Sequence, residues 1–239
     1  MAPRLYHFER VGSTMDVIHQ LAANGAEAGT AVMAGEQLEG RGSRGRTWHS
    51  PSGGLWLSML FRPRSVAGVE VTSIRIGLAV AEAVDRFAAH PVELKWPNDL
   101  VLDDRKLGGV LCEARWQGDA LGWIAVGLGM NVRNPIPDDL SAVAISLAAG
   151  RPDITPEGVA DPIVMALRRL DLGAGRLSAG EMEQFARRDW LRGRQVQEPL
   201  SGTAAGLQDD GALLVRPVRG PAVPLRSGPV ELAAISPSR

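Results

Sequence analysis

The sequence predicts a mixed α/β (α+β) domain followed by a small β domain, and three observations lead to this fold class. Short apolar segments bounded by turn residues, typical of buried strands, alternate with helical patterns. Between Ser73 and Phe87 apolar residues recur at helical spacing, which predicts an amphipathic helix that covers a sheet. After Gly193 the helical period disappears, and Gly and Pro turns separate short Val/Leu segments. We therefore expect a main domain over residues 1–192 and a small β-barrel over residues 193–239.

The first part of the chain predicts a helix between apolar strands. Ser13 suits an N-cap with Asp16 at the third helical position, and Asn24-Gly25 is a typical helix stop. The short apolar segment Leu5 to Phe8 precedes this helix. Apolar runs over residues 28–34 and 53–60 predict two strands on either side of a loop.

The middle of the chain predicts further strands and a hairpin. Runs over residues 92–96, 100–102 and 106–111 are separated by Pro97-Asn98-Asp99 and by an Asp103-Asp104-Arg105 turn. Residues 123–132 predict another strand, in which Gly127 and Gly129 leave one face without side chains, so that a flat ligand has room there.

The remainder of the main domain is predicted to be helical. Residues 141–149 fit either a short helix or a strand. Thr155-Pro156 predicts one helix start, and Ser178 with Glu181 forms a capping box that predicts another.

Composition excludes several classes of protein. Of 239 residues 45% are hydrophobic and 22% charged, so the chain has enough apolar residues for a core and is not disordered. The net charge of −1 argues against a protein that binds the phosphate backbone of DNA or RNA. A single cysteine, Cys112, forms no internal disulfide, and no Cys/His spacing suggests structural zinc. With no apolar run of about 18 residues and no signal peptide pattern, we expect a cytoplasmic protein without membrane contact.

The stretch Gly40 to Trp48, Gly-Arg-Gly-Ser-Arg-Gly-Arg-Thr-Trp, is the strongest functional signal. Its glycines allow close approach to a ligand, and its three arginines can bind phosphate or carboxylate oxygens, so it predicts an anion-binding loop. A solvated turn or a nonspecific nucleic-acid contact has the same composition. Lys95, Asn98, Asp99 and Lys106 gather at strand ends, where turn formation or protection of a sheet edge also explains them.

Five motifs taken together resemble one family. In order they are Gly-Ser-Thr at residues 12–14, Gln37 with the Gly/Arg loop, Lys-Trp-Pro-Asn-Asp at 95–99, Arg-Lys-Leu-Gly-Gly at 105–109 and Gly-x-Gly-x-Asn-Val at 127–132. This order and spacing resemble the biotin protein ligases, or biotin–[acetyl-CoA-carboxylase] ligases. The resemblance implies a catalytic domain like that of class II aminoacyl-tRNA synthetases and a C-terminal SH3-like barrel.

The resemblance also implies the reaction. Biotin and MgATP give biotinyl-5′-AMP and pyrophosphate, and a lysine of a biotin carboxyl carrier protein then takes the biotinyl group while AMP leaves. The cofactors and substrates expected are therefore ATP, Mg²⁺ and biotin, with the metal held through the ATP phosphates and no protein ligand assigned to it. Without a counterpart of the N-terminal winged helix of bifunctional members, we expect no binding to DNA.

Site residues follow from the resemblance by position. Lys106, Arg44 and Asp99 are expected to be catalytic, with Lys106 between the biotin carboxylate and the α-phosphate. The residues expected to bind biotin are Ser13, Thr14, Gln37, Gly40, Arg41, Gly42, Ser43, Trp48, Lys106 and Gly109. Those expected to bind the nucleotide are Arg44, Arg46, Lys95, Asn98 and Asn131. The other tryptophans, Trp56, Trp96, Trp116, Trp123 and Trp190, are expected to pack in the core.

Three positions depart from the family pattern. Ser43 stands where the loop commonly has another arginine, which predicts weaker retention of the adenylate. Met15 replaces the usual asparagine after Ser-Thr, and Ala144 stands where some members have a tryptophan that stacks on adenine.

Two alternatives remain open at this point. A lipoate or octanoate ligase or transferase shares the fold, although the polar side chains of Ser13, Thr14 and Gln37 suit a urea ring better than a hydrocarbon tail. A non-enzymatic biotin- or nucleotide-binding module is the second. The sequence leaves the choice between a monomer and a homodimer open, together with the identity of the carrier and the order of the loop without ligand.

Overall fold

The computed structural model describes residues 3–232, which form two β-sheets and four α-helices. The strands of the first sheet are β1 (Leu5–Val11), β2 (Ala31–Gln37), β3 (Leu55–Phe61), β4 (Glu93–Lys95), β5 (Asp99–Leu102), β6 (Arg105–Gln117) and β7 (Ala120–Met130). The helices are α1 (Thr14–Ala23), α2 (Thr72–Val84), α3 (Pro156–Leu167) and α4 (Ala179–Arg188). The mixed α/β class predicted from the sequence is confirmed.

The first sheet has the strand order β1-β2-β3-β7-β6-β5-β4. Strands β1 and β2 are parallel, because α1 connects them as a crossover, and the other neighbours are antiparallel. Helix α1 contacts β2, β3 and β7, and α2 packs against α3 and contacts β4, β5 and β6. Two separate apolar clusters result, a large one that includes α2 and α3 and a small one that includes α1.

The two faces of the central strands differ in side-chain size. On β7, Ile124, Val126 and Leu128 belong to the large cluster. The residues that alternate with these and with Met130, on the α1 side, are Ala125, Gly127 and Gly129. Because successive strand residues point to opposite faces, this alternation leaves the α1 side of the sheet with little side-chain volume.

Several element limits differ from those predicted. The predicted strand over 28–34 is β2 at Ala31–Gln37, and the long helix over 73–87 ends at Val84 and continues as a 3₁₀ turn, Asp85–Phe87. The segment 141–149, predicted as helix or strand, is irregular and ends in the 3₁₀ turn Leu147–Ala149. The caps are as predicted: Ser13, Thr155 and Ser178 each accept a backbone hydrogen bond at a helix start.

The second sheet contains five strands in the order β11-β10-β9-β8-β12. They are β8 (Gln195–Glu198), β9 (Gly202–Leu207), β10 (Leu213–Arg216), β11 (Val223–Leu225) and β12 (Glu231–Leu232). Helix α4 ends at Arg188 and β8 begins at Gln195, so we propose a domain boundary near residue 192. Residues 233–239 of the proposed second domain lie outside the described residues.

The two sheets are joined by direct contacts. Trp96, at the end of β4, is buried and donates its indole N–H to the carbonyl of Gly211, 2.9 Å away. The backbone N–H of Leu177 donates to the carbonyl of Asp209. The first contact ties the turn after β4, and the second the segment before α4, to the turn between β9 and β10 of the second sheet. Among residues 3–232, no helix has both the length and the apolar content to cross a membrane.

A carboxyl group with one buried oxygen, that of Asp189, lies where α4 leads into the second sheet. Asp189 Oδ1 accepts from the backbone N–H of Leu191 at 3.0 Å, while Oδ2 is buried and has no hydrogen-bond partner among the described residues. Burial raises the pKa of Asp189 to about 6, and the nearby Glu93 charge adds to the increase.

This pKa predicts how stability depends on pH. Because the folded pKa lies above the ordinary 3.8, the unfolded chain loses its proton more readily, and Asp189 destabilises the fold as pH rises through about 4 to 6. We expect Asp189→Asn to be more stable than the wild type at pH 8 by about 2 kcal/mol. Urea unfolding between pH 4 and 8 should show this difference shrinking as pH falls. The exposed Asp161→Asn is the control, and a difference for Asp189→Asn that is constant with pH would contradict the prediction.

Candidate active site

A cavity of about 190 Å³ lies on the α1 side of the first sheet. It is enclosed by the start of α1, the segment 41–48 after β2, and the small-residue face of β6 and β7. Its lining includes predicted site residues from three distant parts of the sequence: Ser13, Thr14, Gln37, Arg41, Gly42, Ser43, Arg46, Trp48, Lys106 and Gly109. The fold thus brings most of the predicted biotin-binding residues together.

One part of the cavity wall is polar, and its side chains are joined by hydrogen bonds around Gln37. The backbone N–H of Thr14 donates to Gln37 Oε1 at 2.9 Å, which fixes the amide so that Nε2 faces the other way and donates to Ser50 Oγ at 2.9 Å. Thr14 Oγ1 donates to Gln37 Oε1 at 3.0 Å, and its single proton is thereby used, so Ser58 donates to Thr14 at 2.8 Å. The amide of Gln37 therefore has a defined orientation and one remaining N–H.

Ser13 adds a hydroxyl to this end of the cavity. Its Oγ accepts from the backbone N–H of Met15 at 3.3 Å as the N-cap of α1. This capping bond uses a lone pair and leaves the hydroxyl proton free to donate to a ligand. Met15 itself is buried and faces β7, where a Cβ on Gly127 would lie only 2.9 Å from its sulfur.

Lys106 reaches the cavity because β6 carries a bulge. Leu100 of β5 pairs with Gly108, and the next residue, Val101, pairs with Lys106, so Leu107 is an extra residue in β6. Lys106 and Gly109 are three residues apart and would point to opposite faces of a regular strand, but both line the cavity. The adjacent Gly108 lets β7 approach closely, since a Cβ there would lie 2.6 Å from the carbonyl oxygen of Gly129.

The ammonium group of Lys106 lies close to a carboxylate and an aromatic ring. It donates to Asp99 Oδ1 at 2.7 Å, and it lies 5.1 Å from the centre of the Trp48 ring. Its side chain is 33% exposed, so the charge faces the cavity without being sealed from solvent. Asp99, which the resemblance implied to be catalytic, thus lies against Lys106.

The Gly/Arg loop folds back on itself. Its two arms pair through Trp48 N–H to the Gly40 carbonyl at 2.8 Å and Gly42 N–H to the Arg46 carbonyl at 2.7 Å. Gly40 is required there, because a Cβ would collide with the Trp48 carbonyl. At the tip, Arg44 has a positive φ of 61°, a strained backbone conformation for a residue other than glycine.

The side chains of the loop arginines differ in their contacts. Arg46 donates to Ser43 Oγ at 3.0 Å, so Ser43 holds a neighbouring guanidinium within the loop. Arg41 pairs with Asp16 at 2.7 Å, and the hydrogen bond to Asp16 is the main cause that raises the pKa of Arg41. Arg44 is exposed at the tip.

Four residues predicted to bind the nucleotide lie outside the cavity lining, namely Arg44 at the loop tip, Lys95, Asn98 and Asn131. The Lys95 ammonium lies 5.2 Å from the centre of the Trp190 ring, and burial lowers its pKa. Asn98 donates to the carbonyl of Val110 at 2.7 Å. Asn131 is buried, and its Oδ1 accepts from Asn134 at 3.0 Å. Their assignment to the nucleotide stays a prediction.

The glycine face of β7 is covered by side chains of the protein. A Cβ on Gly129 would lie 2.6 Å from Trp48 Nε1, so Trp48 packs where the sequence suggested that a flat ligand would lie. The Nε1 atom of Trp48 is buried and has no hydrogen-bond partner within residues 3–232.

One of the tryptophans expected to pack in the core, Trp116, is 52% exposed, so the expectation was wrong for this residue. Trp116 lies near the end of β6, beyond the part of that strand that pairs with β5.

Sequence reasoning did not identify Ser50, Ser58 and Glu113 as part of the site, and it treated Asp16 only as a helix residue. Ser58 was missed because it lies within an apolar strand, where only the alternation of faces indicates that its side chain points toward α1. Ser50 follows the Gly/Arg loop by two residues; its hydroxyl accepts from Gln37 and donates to the Trp48 carbonyl.

Within the described residues, no group of three or more His, Cys, Asp or Glu side chains is arranged to bind a metal ion.

Comparison with known proteins identifies relatives along most of the chain. The model of the biotin/lipoate A/B protein ligase family matches residues 7–131. The bifunctional ligase/repressor BirA of Bacillus subtilis is 31% identical over 233 residues, covering 92% of this chain and 71% of BirA. The biotin–[acetyl-CoA-carboxylase] ligase of Paracoccus denitrificans is 32% identical over 221 residues, covering 84% of this chain and 88% of that protein.

The fold is also that of a solved ligase. The structure of biotin protein ligase from Aquifex aeolicus in complex with biotin and ATP superimposes with a TM-score of 0.78 and 26% identity, covering 98% of this chain and 99% of the other. This likeness confirms the fold class that the resemblance implied. With the family model, the two sequence relatives and this structure in agreement, the chain belongs to the biotin/lipoate A/B protein ligase family.

Proposed function

We propose that this protein is an ATP-dependent biotin protein ligase, which converts biotin to biotinyl-5′-AMP with release of pyrophosphate and then transfers the biotinyl group to a lysine of a biotin carboxyl carrier protein. One observation carries the proposal: the Ser13–Thr14–Gln37 group, Lys106 and the Gly/Arg loop line one cavity. The relatives from B. subtilis and P. denitrificans are named as ligases, and the A. aeolicus enzyme binds biotin and ATP.

The polar end of the cavity has the donors and acceptors that a urea ring needs. A cyclic urea presents one carbonyl acceptor between two N–H donors. The Ser13 hydroxyl proton and the remaining N–H of Gln37 suit the carbonyl, and the oxygen of Thr14 retains a lone pair for a ring N–H. A hydrocarbon or dithiolane tail would leave these buried polar groups without partners, which costs about 1–3 kcal/mol for each group. The lipoate alternative is therefore not favoured.

The ammonium of Lys106 suits the adenylation step. The biotin carboxylate attacks the α-phosphorus, and the α–β bond breaks to release pyrophosphate, so negative charge develops on the phosphoryl oxygens. A fixed cation between the two reactants stabilises that charge, and Asp99, 2.7 Å from Lys106 Nζ, holds the ammonium in place. Arg44 and Arg46 on the loop are proposed to bind the phosphates of ATP.

Magnesium fits this site only through the substrate. The described residues form no acidic cluster for a metal, and Asp99 already accepts from Lys106. We propose that Mg²⁺ is carried by the ATP phosphates, where it neutralises part of their charge.

Closure of the loop over the adenylate serves the second step. An acyl adenylate is a mixed anhydride that water hydrolyses, so a loop that covers it preserves the intermediate until the carrier lysine attacks the acyl carbon and AMP leaves. We propose a cytoplasmic enzyme, because ATP and the carrier protein must meet there, and no binding to DNA, because the net charge is −1. A homodimer remains compatible with the proposal.

The role of Lys106 is testable by pyrophosphate exchange. We expect biotin-dependent exchange into ATP for the wild type, and a rate about 10² to 10³ lower for Lys106→Ala because a preorganised charge is lost. Arg187→Ala, at an exposed ion pair on α4, is the matched control and should keep the wild-type rate. Exchange that is independent of biotin, or Lys106→Ala at the wild-type rate, would refute the proposal.

The departure at Ser43 predicts loose retention of the intermediate. Ser43→Arg adds a guanidinium beside the cavity and should slow the release of biotinyl-5′-AMP into solution, measured by rapid filtration of enzyme loaded with labelled biotin. Ser43→Ala removes the contact with Arg46 without adding a charge, and it should not slow release. If the two variants release the adenylate at the same rate, charge at residue 43 does not control retention.

A further inference from the structure

The Gly/Arg loop is attached to the body of the protein through Arg41. Its guanidinium makes a two-point contact with the Asp16 carboxylate, Nη1 to Oδ2 at 2.9 Å and Nη2 to Oδ1 at 2.7 Å. Asp16 lies in the first turn of α1, where the positive end of the helix dipole stabilises its negative charge. The loop is therefore joined to helix α1 by Arg41, whose guanidinium is held by both oxygens of Asp16.

A second carboxylate lies on the other side of the same guanidinium. Glu113 Oε1, on β6, is 3.9 Å from Arg41 Nε. The indole N–H of Trp123 donates to His19 Nδ1 at 2.9 Å, so the hydrogen of the neutral His19 ring lies on Nε2, which donates to Glu113 Oε2 at 2.9 Å. Arg115, 3.5 Å from Glu113, competes for the same carboxylate, so this second contact with Arg41 is the weaker one.

Holding Arg41 holds the rest of the loop. Arg41 pairs with Thr47 across the loop, and the backbone bonds of Gly40 and Gly42 to the opposite arm flank this pair. A displacement of Arg41 therefore moves both arms. Gly42, Ser43 and Trp48 line the cavity, so the position of Arg41 sets the shape of the biotin site.

We propose that Asp16 is a positioning residue that acts through Arg41 to hold the loop over the cavity, with Glu113, oriented by His19, as a second and weaker anchor. The inference rests on the proposed function in that the covered cavity is the biotin site. Asp16 touches neither substrate in this account; it lowers the population of the open loop and so favours the form that binds biotin.

The size of the effect follows from the exposure of the pair. The Arg41 side chain is 37% exposed and that of Asp16 57%, and ion pairs of this kind contribute modestly and are screened by salt. We expect loss of the pair to lower the ratio of closed to open loop about three- to fivefold at low salt.

Limited proteolysis measures the loop without reference to activity. Trypsin cleaves after arginine, and Arg41, Arg44 and Arg46 lie in the loop, so Asp16→Asn should be cut there faster than the wild type at low salt, by up to about three- to fivefold. The difference should shrink at about 0.5 M KCl. Asp16→Glu keeps the charge and should restore much of the protection. Glu183→Gln, which breaks the exposed pair with Arg187 on α4, is the matched control and should be cut at the wild-type rate.

In steady-state kinetics, the change in the loop equilibrium should affect KM for biotin and not kcat. Asp16→Asn should raise KM for biotin in the exchange assay by the factor by which the closed population falls, and leave kcat near the wild-type value, because the closed loop is unchanged once formed. The fold increase in KM multiplied by the fold increase in cleavage should therefore be about three- to fivefold. Glu113→Gln should have a smaller effect in the same direction. A purely structural role of Asp16 in α1 would instead lower the melting temperature and change KM by an amount insensitive to salt.

The outcomes separate the inference from the proposed function. Unchanged cleavage and KM in Asp16→Asn, or equal loss in Asp16→Glu, would overturn the inference while biotin-dependent exchange by the wild type stands. If the wild type shows no such exchange, the proposed function fails, but the cleavage rates still report whether Asp16 holds the loop.

Discussion

The site depends on the absence of side-chain volume along one face of β7. Ala125, Gly127 and Gly129 point toward α1, while the residues between them fill the large core. Interiors pack at high density, so a cavity beside a sheet persists only where the strand itself is small. Met15 and Trp48 occupy part of that space, and a Cβ at either glycine would displace them. The packing of α1 and of the loop against the sheet is thus set by the same residues that leave room for a ligand.

The bulge in β6 decides which side chains of that strand line the cavity. A regular strand would place Lys106 and Gly109 on opposite faces, and the extra residue at Leu107 brings both to the cavity. Leu107 itself is fully buried in the large cluster, so the bulge is held by packing. Asp99 on the neighbouring strand then fixes the ammonium. A lysine on a strand is more rigid than one on a loop, which suits a group that must lie between two reactants.

Flexible and fixed parts of the site are divided between loop and sheet. The loop carries the arginines and covers the cavity, and it is joined to α1 and β6 by ion pairs that are partly exposed and therefore weak. Weak contacts of this kind allow a loop to open for substrate and product. The polar group around Gln37 is largely buried and fully oriented, as recognition of a small polar ring requires.

Much of the protein was predictable from local signals. The caps at Ser13, Thr155 and Ser178, the turn at Asp103-Asp104 and the amphipathic α2 depend on neighbouring residues, and the sequence shows these directly. The motif residues also indicated the family, since their order along the chain is itself distinctive. Strand limits shifted by several residues, because pairing partners decide where a strand ends.

The sequence by itself therefore determined the helix starts, the alternation of strands and helices, the family and most of the residues around the cavity. Only the tertiary structure decided that β6 bulges at Leu107, that Trp48 packs on Gly129, and that Asp16 meets Arg41. It also placed Ser58 and Glu113 in the site and Asn131 outside the cavity lining. The physical reason is that most of these contacts join segments far apart in the chain, and that even within the β5–β6 hairpin no local preference specifies which face or partner a side chain meets.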